Sequence, residues 1–94
     1  MSTVQQAILE LLMKKPGLYG LEMVKASALL KRATIYVHLQ RMEEKKWIRS
    51  EAEKDPSMSG MPRRRYFITG EGQRAFNASK ASAEVFALPV GSAI

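Results

Sequence analysis

Residues 30–48, LKRATIYVHLQRMEEKKWI, followed at 62–69 by PRRRYFIT, decide the fold. In the first block Ile35, Leu39 and Met42 fall at i, i+4 and i+7, one narrow apolar stripe of a helix that must face a core. Ala33, Val37, Gln40, Arg41 and Glu44 then belong to the opposite face. In the second block Tyr66 and Ile68 alternate with Arg65 and Phe67, which is the period of a strand. Strands are predicted at Ile48 to Glu53 and at Arg64 to Ile68, and the loop between them, KDPSMSGMP, consists largely of turn formers. They should close a hairpin, with Met58 and Met61 as spacers at its tip.

A helix able to enter a major groove, beside a hairpin whose arginines can reach phosphates, is the physical description of a winged helix-turn-helix. The expected fold class is therefore α+β and mostly α: three helices, a two-stranded β-wing and a C-terminal helix. The expected partner is double-stranded DNA. On the outward face, Ala33 and Val37 allow close approach and can touch thymine methyls, Gln40 can pair with adenine, and Arg41 with guanine or phosphate. Lys31, Arg32, Thr34 and Tyr36 flank that face as phosphate contacts, and Arg63, Arg64 and Arg65 open the second strand of the wing. Alternation sends these three arginines to both faces of the sheet, so at least one points outward. Plainer readings exist: an amphipathic helix with a solvated side, and arginines that merely blunt an edge strand.

The composition agrees with a DNA partner without proving it. The chain has 94 residues, 46% of them hydrophobic, enough for one modest core. Its formal net charge is +6, with Lys31, Arg32, Arg41, Lys45, Lys46, Arg49 and Arg63 to Arg65 crowding the middle, a balance that favours a polyanion. No cysteine is present, which excludes disulfides and thiolate metal sites and fits a reducing cytosol. The opening STVQQAILELL lacks a basic signal region and carries Glu10 inside its apolar pattern, so a cytoplasmic protein is expected. His38 is the single histidine, and no cluster of acidic residues suggests acid–base or metal chemistry. Neither enzyme activity nor a cofactor is expected.

Ahead of the decisive blocks, Ser2 or Thr3, each with Gln three residues later, can form a capping box for a helix whose face is Val4, Ala7, Ile8, Leu11 and Leu12. That helix should stop at Lys15-Pro16-Gly17. A second, from Tyr19 to Ser27, shows Leu21, Val24 and Ala28 at helical spacing, and Ser27-Ala28-Leu29 supplies a tight corner into the third. Beyond the wing, Thr69 can cap a fourth helix, and Gly70 and Gly72 read as strand-to-helix geometry. Along it Phe76, Ser79, Ala83 and Phe86 form a stripe of bulky and small residues that suits dimerisation. The alternative is a helix folded back on its own domain. The expected organisation is residues 1–69 as the DNA-binding domain, 70–88 as the dimerisation helix and 89–94 as a tail.

Four blocks together resemble the PadR family of bacterial transcriptional regulators over roughly Val4 to Phe76. They are AILELL with Pro16 downstream, the Gly20-Leu21-Glu22-Met23 element, ATIYVHLQRMEEKKWI and RRRYFITGEGQ. The resemblance implies a winged-helix repressor acting as a homodimer on a pseudo-palindromic operator, with Thr34, Tyr36 and the wing arginines near DNA. It also implies a small aromatic effector, for which Trp47, Phe76 and Phe86 offer no independent support. Val37 stands where the family usually has Pro, and Leu21 where Tyr is usual. Lys46 replaces the usual Gly after the recognition helix, where a left-handed residue would cost about 1 kcal/mol, so the helix is expected to end differently. The competing function is a winged helix that binds protein, as an adaptor or antirepressor, with little affinity for DNA even at low salt.

Overall fold

In a computed structural model, residues 1–53 and 63–87 are described, the side chains of 82–87 excepted. Helix α1 spans Thr3–Lys14 and starts from Ser2: its Oγ accepts from Gln5 N at 3.1 Å, and its own N–H donates to Gln5 Oε1 at 3.2 Å. Of the two candidate caps, Ser2 is the one used. The helix ends at Lys15, ahead of Pro16, and Gly17 takes φ +84°, a left-handed conformation that glycine adopts without strain. Gly17 N then donates to Tyr66 O at 2.9 Å, and this lines up a strand the sequence did not announce, β1 at Leu18–Tyr19. Two residues are too few to show a period.

Helix α2 spans Gly20–Ala26, shorter than the stretch from Tyr19 to Ser27 expected for it. Its buried face is also different. Met23 is buried at 0% exposure and Val24 half-buried, whereas Leu21 and Ala28 lie exposed. Seven residues cannot sustain a helix alone in water, so Met23 in the core is what holds it. The recognition helix α3 spans Ile35–Glu44, beginning later than the pattern suggested. Ala33 therefore stands in the turn before the helix instead of on its face. Lys31 O accepts from Thr34 N at 3.1 Å and Ile35 N at 2.9 Å, so the chain is already winding into α3 there.

Strands β2 (Ile48–Glu53) and β3 (Arg63–Ile68) pair antiparallel, with Ile48 opposite Ile68 and Glu53 opposite Arg63. β1 joins on the other edge of β3, giving the order β1-β3-β2 and making β3 the central strand of a three-stranded sheet. The hairpin is as expected, one residue longer at Arg63, and the tip with Met58 and Met61 lies outside the described residues. Helix α4 spans Gly70–Ala87.

The core gathers Ile8, Leu9 and Leu12 of α1, Leu18, Met23 and Leu30, the stripe Ile35, Leu39 and Met42 of α3, then Ile48, Tyr66 and Phe76. On α1 the buried line runs through Leu9, with Val4, Ala7 and Leu11 half-buried at its margins. Each fully buried Leu or Ile contributes about 1.5–3 kcal/mol, so α1 and α3 together clamp the sheet's inner face. Phe76 brings α4 into this core, and Gln6 Nε2 donates to Ser79 Oγ at 2.6 Å on the next turn. Half of the stripe expected to pair two copies is thus covered within one chain. Ala83 and Phe86, the other half, have side chains outside the described residues.

Candidate nucleic-acid interface

Recognition requires a helix with one bare face, and α3 has it. Gln40 and Arg41 are exposed, as are Lys31, Arg32, Ala33 and Thr34 in the turn that leads into the helix. Tyr36 is 52% and Val37 48% exposed, a high value for apolar side chains so close to a core. His38 lies half-buried between the two faces. Lys25, Lys31, Arg32 and Arg41 form no ion pair among the described residues, whose ion pairs are Lys14–Glu10, Arg49–Glu51 and Arg65–Glu53.

Tyr36 is held by a glycine. A Cβ on Gly20 would lie 2.9 Å from the Tyr36 ring, so only glycine at the first residue of α2 lets that ring lie against the helix start. On its far side the ring borders a cleft of about 570 Å³ between α2, α3 and the wing, lined among others by Leu21, Lys25, Arg63, Arg64 and Tyr66. Tyr66 is buried, and that burial, helped by the nearby Glu43 carboxylate, pushes its phenol above the usual tyrosine value. It stays a neutral floor to the cleft. Glu22, also in the lining, accepts from Tyr19 N at 2.9 Å and so has a partner at the start of α2.

The three wing arginines separate. Arg64 shares the sheet's inner face with Tyr66, extends past the core and donates to Ser50 Oγ at 3.1 Å while remaining exposed. Arg63 lies over the Tyr19 ring, 5.4 Å from its centre, at the rim of the cleft. Arg65 is engaged within the fold: its Nε bonds to Glu53, its Nη1 donates to Gly17 O at 3.2 Å, and its guanidinium stacks 4.6 Å from the Tyr19 ring. Arg49, on the same outer face, lies 4.4 Å over Phe67 and bonds Glu51 at 2.6 Å. Sequence reasoning named Arg64 and Tyr36 but missed Lys25, Leu21 and Tyr66, which no single period links to them. The available signal was Gly20-Leu21, an apolar residue after a glycine at a helix start.

The C-terminal end of α3 is closed tightly. Trp47 N donates to Met42 O at 3.0 Å and Lys46 N to Glu43 O at 2.9 Å, with Lys46 at φ +63°. This is the Schellman arrangement in which the residue after the cap is left-handed. The expectation that the helix would end differently without glycine is overturned: lysine takes the glycine conformation, and two backbone bonds offset its cost. Lys45 Nζ covers the Trp47 ring at 4.5 Å.

Comparison with known proteins gives the same result from another direction. Residues 8–78 match the model of the transcriptional regulator PadR-like family. The chain belongs to that family. A PadR family transcription regulator from Clostridium difficile is 31% identical, with 90% of this chain and 91% of that one covered at a TM-score of 0.74. A PadR family regulator from Eggerthella lenta is 29% identical over 96% of this chain and 80% of the other, TM-score 0.80. A PadR-like transcription factor from Bacteroides fragilis shares the fold at 23% identity and TM-score 0.78, with 88% and 82% covered. No match was found among curated proteins. Members of the PadR-like family are transcription regulators and not enzymes, and this chain carries their winged-helix fold. Among the described residues no helix is long and apolar enough to cross a membrane, and no group of side chains could hold a metal ion.

Proposed function

We propose that this PadR-like regulator binds a pseudo-palindromic operator as a homodimer and acts as a repressor. The observation that carries the DNA contact is the cleft between Tyr36 and the wing, rimmed by Lys25, Arg63 and Arg64 and opening beside the bare face of α3. One strand's phosphates cross it, while α3 enters the major groove. Gln40 reads a base edge, and Val37 and Ala33 meet thymine methyls. Lys31, Arg32, Thr34 and Arg41 hold neighbouring phosphates. Arg65 supports the wing from behind. Pairing is assigned to the part of α4 beyond Ser79, where the helical stripe continues by spacing to Ala83 and Phe86. Repression, like the palindromic site, rests on the family likeness.

Fluorescence anisotropy on random and enriched duplexes, repeated over a salt series, tests the reading. Binding to all duplexes should weaken steeply with salt, with a residual preference for the enriched sequence. A chain that binds no duplex even at low salt is a protein-binding winged helix, and the proposal then fails.

A further inference from the structure

Thr69, the single residue between the wing and α4, touches three things at once. Its Oγ1 accepts from Gly72 N at 3.0 Å, which caps α4, and its hydroxyl proton faces Lys46 O at 2.6 Å and Trp47 O at 3.0 Å. Its backbone N donates to Trp47 O at 3.0 Å. Gly72 seals the contact, because a Cβ there would lie 2.0 Å from Trp47 O, far inside the closest non-bonded approach of a Cβ to a backbone oxygen. Through Trp47 N to Met42 O the hydrogen bonds run unbroken from the first turn of α4 to the last turn of the recognition helix.

A helix cap needs only the acceptor half of this. The donor half is spent on a carbonyl of a different element, the left-handed Lys46, which is the residue that ends α3. We infer that Thr69, seated by Gly72, is a positioning residue that locks α4 to the end of α3, so that pairing through α4 fixes the separation of the two recognition helices. The inference rests on the homodimer reading. With Phe76 and Ser79 holding α4 against α1, a rigid joint here sets the half-site spacing at the back of the domain, by residues that never touch DNA. A loose joint leaves each domain able to bind but lets the pair take many separations, and the gain from binding two half-sites together falls.

The absence of cysteine makes a direct measurement simple. The full chain carrying Glu44→Cys, at the exposed end of α3, is spin-labelled, and the label-to-label distance is read by double electron–electron resonance. The parent should give one narrow intermolecular distance. Thr69→Asp keeps an acceptor for Gly72 N and the backbone bond to Trp47 O but has no proton for Lys46 O, so α4 remains capped while the side-chain half of the tie is lost. Its distance distribution should broaden relative to the parent's, with the chain still folded at the temperature of the measurement. Thr69→Ser keeps both halves and should restore the peak. A narrow, unshifted distance in the Asp variant overturns the joint. So does a broadening that Ser fails to rescue. If the parent itself shows no intermolecular distance, the dimer reading fails first and takes this inference with it.

Discussion

On the side of the sheet that faces the recognition helix, Arg64 extends beside Lys25 and Tyr36 into an open cleft, with Tyr66 as its floor. On the opposite side Arg49 and Arg65 lie over Phe67 and Tyr19 and bond to Glu51 and Glu53. The outer face carries three arginines, Arg49, Arg63 and Arg65, and the inner face one, Arg64, and alternation along β3 produces the division of its three. What separates them is the company each cation keeps. A guanidinium already satisfied by a carboxylate and a ring gains little from a phosphate, because it must first give up those partners. One beside tyrosine rings and a lysine has no carboxylate to leave and, on the proposed reading, releases counterions when DNA arrives. On that reading, the net charge of +6 overstates the electrostatic footprint, which belongs to the cleft and to α3.

The comparison breaks most visibly if the cleft is discharged. Lys25→Ala with Arg64→Ala should weaken binding to every duplex about alike, by on the order of a hundredfold at low salt, and lower the slope of log affinity against log salt by roughly two. Anisotropy over a salt series reads both quantities. An unchanged slope would mean that no phosphate crosses the cleft.

Within the recognition side a finer division can be sharpened. Gln40→Ala should cost roughly 1–3 kcal/mol on the preferred duplex and almost nothing on random DNA, since it removes a base contact and leaves the phosphate clamp intact. Competition between the enriched duplex and single-base variants would locate the loss at one base pair. Equal loss on specific and random DNA would place Gln40 on the backbone instead.

The legible parts of this fold were those with a period. Ile35, Leu39 and Met42 announced α3, and the alternation around Tyr66 announced β3 and hence the hairpin; all four of these side chains are buried. Thr69 was legible as a cap from its place before a helical pattern, and the structure bonds it to Gly72 N. Its second bond, to Lys46 O, was not, because it joins residues 23 apart. β1 was invisible for the same reason, being two residues defined wholly by their partner. Phe76 shows another limit: an amphipathic stripe says that something covers it, and here the cover is α1 of the same chain. For the candidate site, the sequence placed the arginines on two faces without saying which face looks toward α3. Only the buried Tyr66 beside Arg64 decides that.

The smallest expected effect on DNA, and the one that defines the outer face, comes from Arg65→Ala. Three partners are lost together: the Glu53 carboxylate, the Gly17 carbonyl and the Tyr19 ring. All three belong to β1, β2 or the turn before β1, so the variant should unfold at a lower temperature while its affinity and salt slope on DNA stay at the parent's values. Acid sharpens the test. The hydrogen bond from Arg65 holds the Glu53 carboxyl below its ordinary value of 4.5 in the folded chain. A folded-state value lowered in this way adds stability that is complete above 4.5 and disappears as the pH falls through the lowered value. In the variant Glu53 has lost the main cause of its shift, so that contribution is largely missing at every pH. The difference in unfolding temperature between parent and Arg65→Ala should hold steady above pH 4.5 and shrink on the acid side of it. The remainder reflects the contacts to the Gly17 carbonyl and the Tyr19 ring. A gap that stays constant through acid would leave Glu53 out of the wing's support, and a reduced salt slope on DNA would move Arg65 to the binding side of the sheet.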